Sequence, residues 1–156
     1  MPADPAFLAA VEQTLSTRDD WDTALARILQ QFGADSGTIH LLADDGVLHL
    51  KSASPGLPAA VLDTVRTVPI GKGMAGLAVE RLQPVNACNI QTDTSGDVRP
   101  GARATGLQGS IVVPILQGSA AVGALGIGNR RERTFTDDEA EALMDVGRVL
   151  GRRVRR

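Results

Sequence analysis

A chain of 156 residues, 43% hydrophobic and 22% charged, is the size of one domain and apolar enough to bury a core without metal or disulfide support. That balance excludes wholesale disorder, the single cysteine excludes an internal disulfide or a thiolate metal cage, and no apolar run approaches the roughly 18 residues of a membrane-spanning helix. The net charge of −2 hides a basic end, since Arg148, Arg152, Arg153, Arg155 and Arg156 fall in the last nine positions. A helix C-terminus attracts cations through its dipole, and without a basic stripe elsewhere a nucleic-acid partner is not expected. The opening MPADPAF lacks a basic-then-apolar secretory pattern, so a single cytoplasmic domain over 1–156 is expected, with no membrane partner.

Asp4 and Pro5 predict a helix start, with Phe7, Leu8, Val11 and Leu15 on one face of a helix lying within 1–16. Thr17, with Asp20 three residues on, predicts the cap of a second helix, along which Trp21, Leu25, Ile28, Leu29 and Phe32 form a stripe ending at Gly33. In GTIHLLADDGVLHLKSAS, Asp45-Gly46 predicts a two-residue hairpin turn. That turn would set Ala43 against Leu48, Leu41 against Leu50 and Ile39 against Ser52, leaving His40 on the more polar and less deeply covered face with His49 and Lys51. LPAAVLDTV predicts a short helix from Pro58 with Val61, Leu62 and Val65 inward, PIGKGMAGLAVERL a glycine-rich turn leading into a helix over Met74 to Arg81, and QPVNA a short strand.

Residues 88–108 carry no periodicity, only a hint of one helical turn near Ala102, and a connection of that length inside a domain is commonly a binding lid. GSIVVPIL and AAVGALGIG are joined by Gly118-Ser119, a two-residue turn pair that would set Ile115 against Val122 and Val113 against Ala124. Ile111, Val113 and Ile115 share one face and Val112 and Leu116 the other, as in a central strand covered on both sides. Thr136 and Glu139 form a capping box for the last helix, 137–156, with Phe135 as staple and Leu143, Met144, Gly147, Leu150 and Val154 on one face. The order of elements predicts an α+β fold, a central antiparallel sheet of about five to six strands with helices on both faces.

STRDDWDTALARIL, PIGKGMAGLAVERLQPVN, GLQGSIVVPIL, VGALGIGNR and FTDDEAEAL, in this order and spacing over roughly 16–153, resemble the GAF family of small-molecule-sensing domains. The resemblance implies a GAF/PAS-like fold whose ligand pocket lies on one sheet face under the middle helices and the long loop. It also implies that the terminal helices cover the other face and pair in a homodimer.

Gly71-x-Gly73-x-x-Gly76 invites a phosphate reading, but a dinucleotide fingerprint needs a preceding strand and a longer following helix, and a Walker loop needs Ser or Thr where Gly73 stands. The preferred account is steric: Gly71 and Gly73 make a tight bend, and Gly76 lets the helix lie close to the sheet. The GKG and SxIVVPI segments are also similar to free-methionine sulfoxide reductases of the same fold. That resemblance implies a cysteine where Ala75 stands and others in the long loop, where PGARATGLQG has none. Cys88 alone has no resolving partner in the chain, and Asn89 follows it where bilin-binding relatives have His. The chain is therefore read as not an enzyme, although thiol-dependent reduction of methionine sulfoxide, abolished by Cys88→Ser, stays open as the enzymatic alternative.

His40 and His49 would lie diagonally on one hairpin face but lack a third ligand, so no metal site is expected. Asn129-Arg130, Phe135 and Asp138-Glu139 are similar to the cyclic-nucleotide signature of some relatives, yet Thr136 to Glu139 are already accounted for as a helix cap. Met74, Cys88, Asp93, Arg99, Arg103 and Ser110 are the expected ligand-binding residues, with Arg99 or Arg103 meeting an anionic ligand. No cofactor is named by any motif. Two functional readings follow: a sensor that binds an unidentified small molecule and signals to a separate effector protein, or a docking module that dimerises through its terminal helices.

Overall fold

The computed structural model describes residues 3–93, 95, 98 and 105–154. Among these the chain order is α1 (Pro5–Arg18), α2 (Trp21–Phe32), β1 (Ser36–Leu42), β2 (Val47–Ala53), α3 (Ala59–Val65), β3 (Thr67–Pro69), α4 (Gly73–Arg81), β4 (Val85–Ala87), β5 (Gly109–Gln117), β6 (Ala120–Asn129) and α5 (Asp137–Gly151). The six strands form one antiparallel sheet in the order β3-β2-β1-β6-β5-β4, the α+β arrangement expected.

One face is solid. Val11, Leu15, Trp21, Ala24, Leu25 and Ile28 of α1 and α2 join Leu143, Val146 and Leu150 of α5 over Ile39, Ile111, Val113, Ile115 and Leu125 of the sheet. Of the apolar stripes read from the terminal helices, Val11, Leu15, Leu143 and Leu150 are buried in the chain's own core, while Phe7, Leu8, Met144 and Val154 pack against it partly buried. Helix α5 lies directly on β5: a Cβ placed on Gly147 would sit 2.6 Å from the Pro114 carbonyl, so only a glycine permits the approach. The capping box of Thr136 and Glu139 fixes its start, and the Asp145–Arg148 pair and the bonds of Arg152 and Arg153 to Glu12 of α1 hold its end. Phe135 is buried beneath the Arg133 guanidinium, 4.2 Å from the ring centre.

Three local expectations are corrected. Thr17 lies within α1, and the cap of α2 is Asp20, whose carboxylate accepts from the Thr23 N–H at 3.0 Å and hydroxyl at 2.6 Å; Asp19, at φ 54, ends α1 between them. The first hairpin turns through Asp44, Asp45 and left-handed Gly46, a three-residue loop closed by the Ala43–Val47 bond. Leu42 therefore faces Leu48 and His40 faces Leu50, and a bulge at Lys51 restores the expected pairing of Ile39 with Ser52. In the second hairpin the Gly118-Ser119 turn stands, flanked by Gln117 and Ala120, but a bulge at Val122 sets Ile115 against Gly123 and Val113 against Leu125. Edge strand β3 was not anticipated.

Candidate functional site

The second face of the sheet is covered by α3, α4 and the ends of the long loop, and it is not solid. Leu48, Val68, Met74, Ala78, Val79, Val85, Ile90, Val98 and Val112 form a smaller core there. Beside it lies a cavity of about 150 Å³. Its floor is the bare middle of the sheet: Gly126 and Gly128 of β6, with Val112 and Ser110 of β5 and Thr38 and His40 of β1. Gly126 and Gly128 alternate along β6 and face the same side, so two consecutive floor positions carry no side chain. Val61 and Val65 of α3, Met74 of α4 and Ile90 and Leu107 of the loop make the walls.

The glycine-rich turn delivers α4 to this cavity. Gly71 (φ 84) and Gly73 (φ 62) adopt the left-handed bend expected, and a Cβ on Gly76 would collide with the Pro69 carbonyl. These glycines set a path for the backbone, and the first turn of α4, Gly73 to Ala75, borders the cavity. The loop ends are pinned by the Ile90 N–H on the Gln108 carbonyl (2.7 Å) and the Gln91 side-chain amide on the Leu107 carbonyl (2.7 Å).

His40 is the polar centre of the site. His40 lies on the cavity face, opposite to Ile39 and Leu41; the shift in hairpin register pairs His49 with Leu41 and so parts the two histidines, and His40 is buried at 3% exposure, correcting the expectation of a thinly covered face. Its Nε2 lies 2.7 Å from the Val65 carbonyl of α3. A carbonyl only accepts, so Nε2 carries the proton. Burial holds the imidazole below its ordinary titration range, against the smaller opposing effect of that carbonyl, so the ring is neutral at pH 7. His49 lies on the opposite face, exposed, on the Asp45 carboxylate at 2.8 Å. Among the described residues no group of three or more His, Cys, Asp or Glu side chains could hold a metal ion.

Of the expected ligand-binding residues, Met74 and Ser110 line the cavity, Ser110 donating its hydroxyl to the Ile127 carbonyl at 3.2 Å. Cys88 is exposed just beyond β4 and does not line it, and its carbonyl accepts from the Arg133 N–H. Asp93 is turned to its own loop, accepting from the Ser95 N–H and hydroxyl. Arg99 and Arg103 lie outside the described residues, as does the helical turn expected near Ala102. Asn129, in the segment similar to a cyclic-nucleotide signature, is spent on the fold: it bonds the Gly33 carbonyl and Asp35, and Arg133 joins it to Glu139. His40, Thr38 and the paired glycines of β6 were missed. The signal was present in AVGALGIGN, where Ala124, Gly126 and Gly128 recur at every second position.

Solved structures of similar fold include the GAF domain of a phosphoenolpyruvate-protein phosphotransferase from Coxiella burnetii, 21% identical with a TM-score of 0.76 over 95% of this chain and 90% of that one. The free methionine-R-sulfoxide reductase of Neisseria meningitidis, in complex with its substrate, is 20% identical with a TM-score of 0.73 over 94% of this chain and 85% of that one. The type II enzyme of Thermoplasma acidophilum is 16% identical with a TM-score of 0.69 over 92% and 94%. A search among curated proteins finds no significant match. The reductases correct the reading of this chain as not an enzyme: the same fold carries catalysts, and a fold does not by itself decide between catalysis and binding. The family model of the GAF domain matches residues 17–153, and the chain belongs to that family.

Proposed function

We propose that this GAF domain is a signalling module that takes up a small molecule in the cavity between the sheet and α3, α4 and the ends of the 88–108 loop, and reports it to a separate effector chain. The observation that supports this reading is the contrast of fillings on one sheet: aliphatic side chains pack one face, and glycines leave a hollow on the other. Most lining residues are apolar and a few are polar, the usual make-up of a small-molecule site. A route out also exists. Strand β5 borders the cavity through Ser110 and Val112 and touches α5 through Gly147 with no intervening side chain, so a shift of β5 on filling would bear directly on the terminal helix.

The test is thermal unfolding of the purified protein against a panel of chemically diverse metabolites. A ligand present at a hundred times its Kd adds about 2.7 kcal/mol and raises the melting temperature in proportion to the logarithm of its concentration. A flat response across the panel contradicts the proposal.

A further inference from the structure

The cavity constrains the chemistry of its occupant. Among the described lining residues there is no Asp, Glu, Lys or Arg, so none of them offers a counter-charge to a charged ligand stripped of its hydration. The volume, about 150 Å³, is that of an apolar cavity able to hold benzene. Most polar groups on the walls are already engaged. The Ser36 hydroxyl pairs with that of Ser54, Thr64 donates to the Ala60 carbonyl, Ser110 donates to the Ile127 carbonyl, and Thr105 accepts from the Leu107 N–H.

His40 is different. With its proton on Nε2 and that nitrogen on Val65, Nδ1 is a lone-pair acceptor, and no described group donates to it. It is not sealed away either, because among the described residues the one fully enclosed side-chain nitrogen or oxygen without a partner is Arg153 Nε. His40 is 3% exposed and lines the cavity, which leaves the cavity as the open space available to that edge of the ring. Thr38, two residues before it on β1 and so on the same face, adds a hydroxyl.

Resting on the reading of this cavity as a ligand site, we propose that its occupant is an uncharged molecule of about one aromatic ring that donates an O–H or N–H hydrogen bond to His40 Nδ1, phenol being the simplest member of the class. An acceptor built into an apolar wall selects for a donor on the ligand, because a ligand without one leaves that acceptor unpaired.

Calorimetric titration of the wild-type protein with phenol, toluene and benzoate tests this. Phenol binds about fivefold more tightly than toluene, the worth of one net hydrogen bond, and benzoate gives no heat. His40→Leu reverses the phenol-to-toluene order, since an apolar pocket rejects a bare hydroxyl. Nitrogen-15 NMR of the wild-type imidazole gives a reading that does not need the variant to fold: phenol moves the His40 Nδ1 resonance to lower frequency and toluene does not. Benzoate binding as tightly as phenol, or toluene preferred with the Nδ1 resonance unmoved by phenol, overturns the inference while leaving the cavity a ligand site. Failure of all three compounds to bind, with a hit elsewhere in the metabolite panel, overturns the inference alone; failure of both overturns the ligand site with it.

Discussion

The two faces of one sheet are built from different residues and do opposite things. On the side of α1, α2 and α5, large side chains from helices and strands interdigitate, with Leu25, Ile111, Ile115 and Leu143 fully enclosed. On the side of α3 and α4, the strands present Gly126, Gly128 and Ala124, and the covering elements stand off a hollow. Glycine itself changes meaning between them. Gly147 on α5 removes a side chain so that two elements touch, whereas Gly126 on β6 removes one so that they do not. One face stores the stability of the domain and the other gives some of it up for space.

That contrast breaks most visibly under truncation. Leu25→Ala on the packed face is expected to cost about 2–5 kcal/mol in urea unfolding, because the rigid surroundings cannot collapse on the void. Val112→Ala, on β5 and bordering the cavity, is expected to cost about 1 kcal/mol, since Val112 already lacks partners on one side. Equal losses would mean that the two faces are packed alike. Next in size, Gly147→Ala drives a Cβ against the Pro114 carbonyl and is expected to cost about 1–3 kcal/mol by the same assay.

Acid should find the cavity face first. The folded-state pKa of His40 is depressed by burial, so the unfolded chain takes up its proton more readily. Stability is therefore full above about pH 6.5, falls as the pH drops below that value, and levels once the folded imidazole also titrates. Glu139 on the packed face follows at lower pH. Its burial raises the pKa, but the Thr136 N–H and the Arg133 guanidinium outweigh this and lower it, so its contribution is lost only below the ordinary carboxylate range. Melting temperature followed from pH 8 to pH 4 should show the first decline in wild type and not in His40→Gln. The smallest effect is expected at Gly126→Ala, whose Cβ meets the Val112 Cγ2 at 3.2 Å, a side-chain atom that can give way, and the Thr38 Oγ1 at 3.6 Å: stability within about 0.5 kcal/mol of wild type, with weakened uptake of any ligand that fills the floor.

What was legible in the sequence was whatever a few neighbouring residues decide among themselves. The capping box at Thr136, the left-handed stop at Gly33 and the two-residue turn at Gly118-Ser119 all stand as read. Register was not local in this sense. ADDG accommodates a two- or three-residue turn equally well, and the bulges at Lys51 and Val122 are settled by how β1 and β6 fit between their neighbours, so His40 was assigned to the wrong partners across the hairpin. The site suffered most from this. Met74 and Ser110, beside recognisable turns and strands, do line the cavity, but a floor made of missing side chains leaves only alternating glycines as its mark. Of the residues singled out for their charge or their sulfur, Asp93 accepts from Ser95 of its own loop and Cys88 is exposed.

Ligand uptake requires an enterable hollow between the sheet and α3 and α4. Crystals pressurised with xenon test this directly, because xenon occupies apolar cavities without needing any particular chemistry. The expected result is xenon density between Met74, Val112 and Gly126, and none within the core formed by α1, α2 and α5. Side chains filling that space, with no xenon on either face, would contradict it.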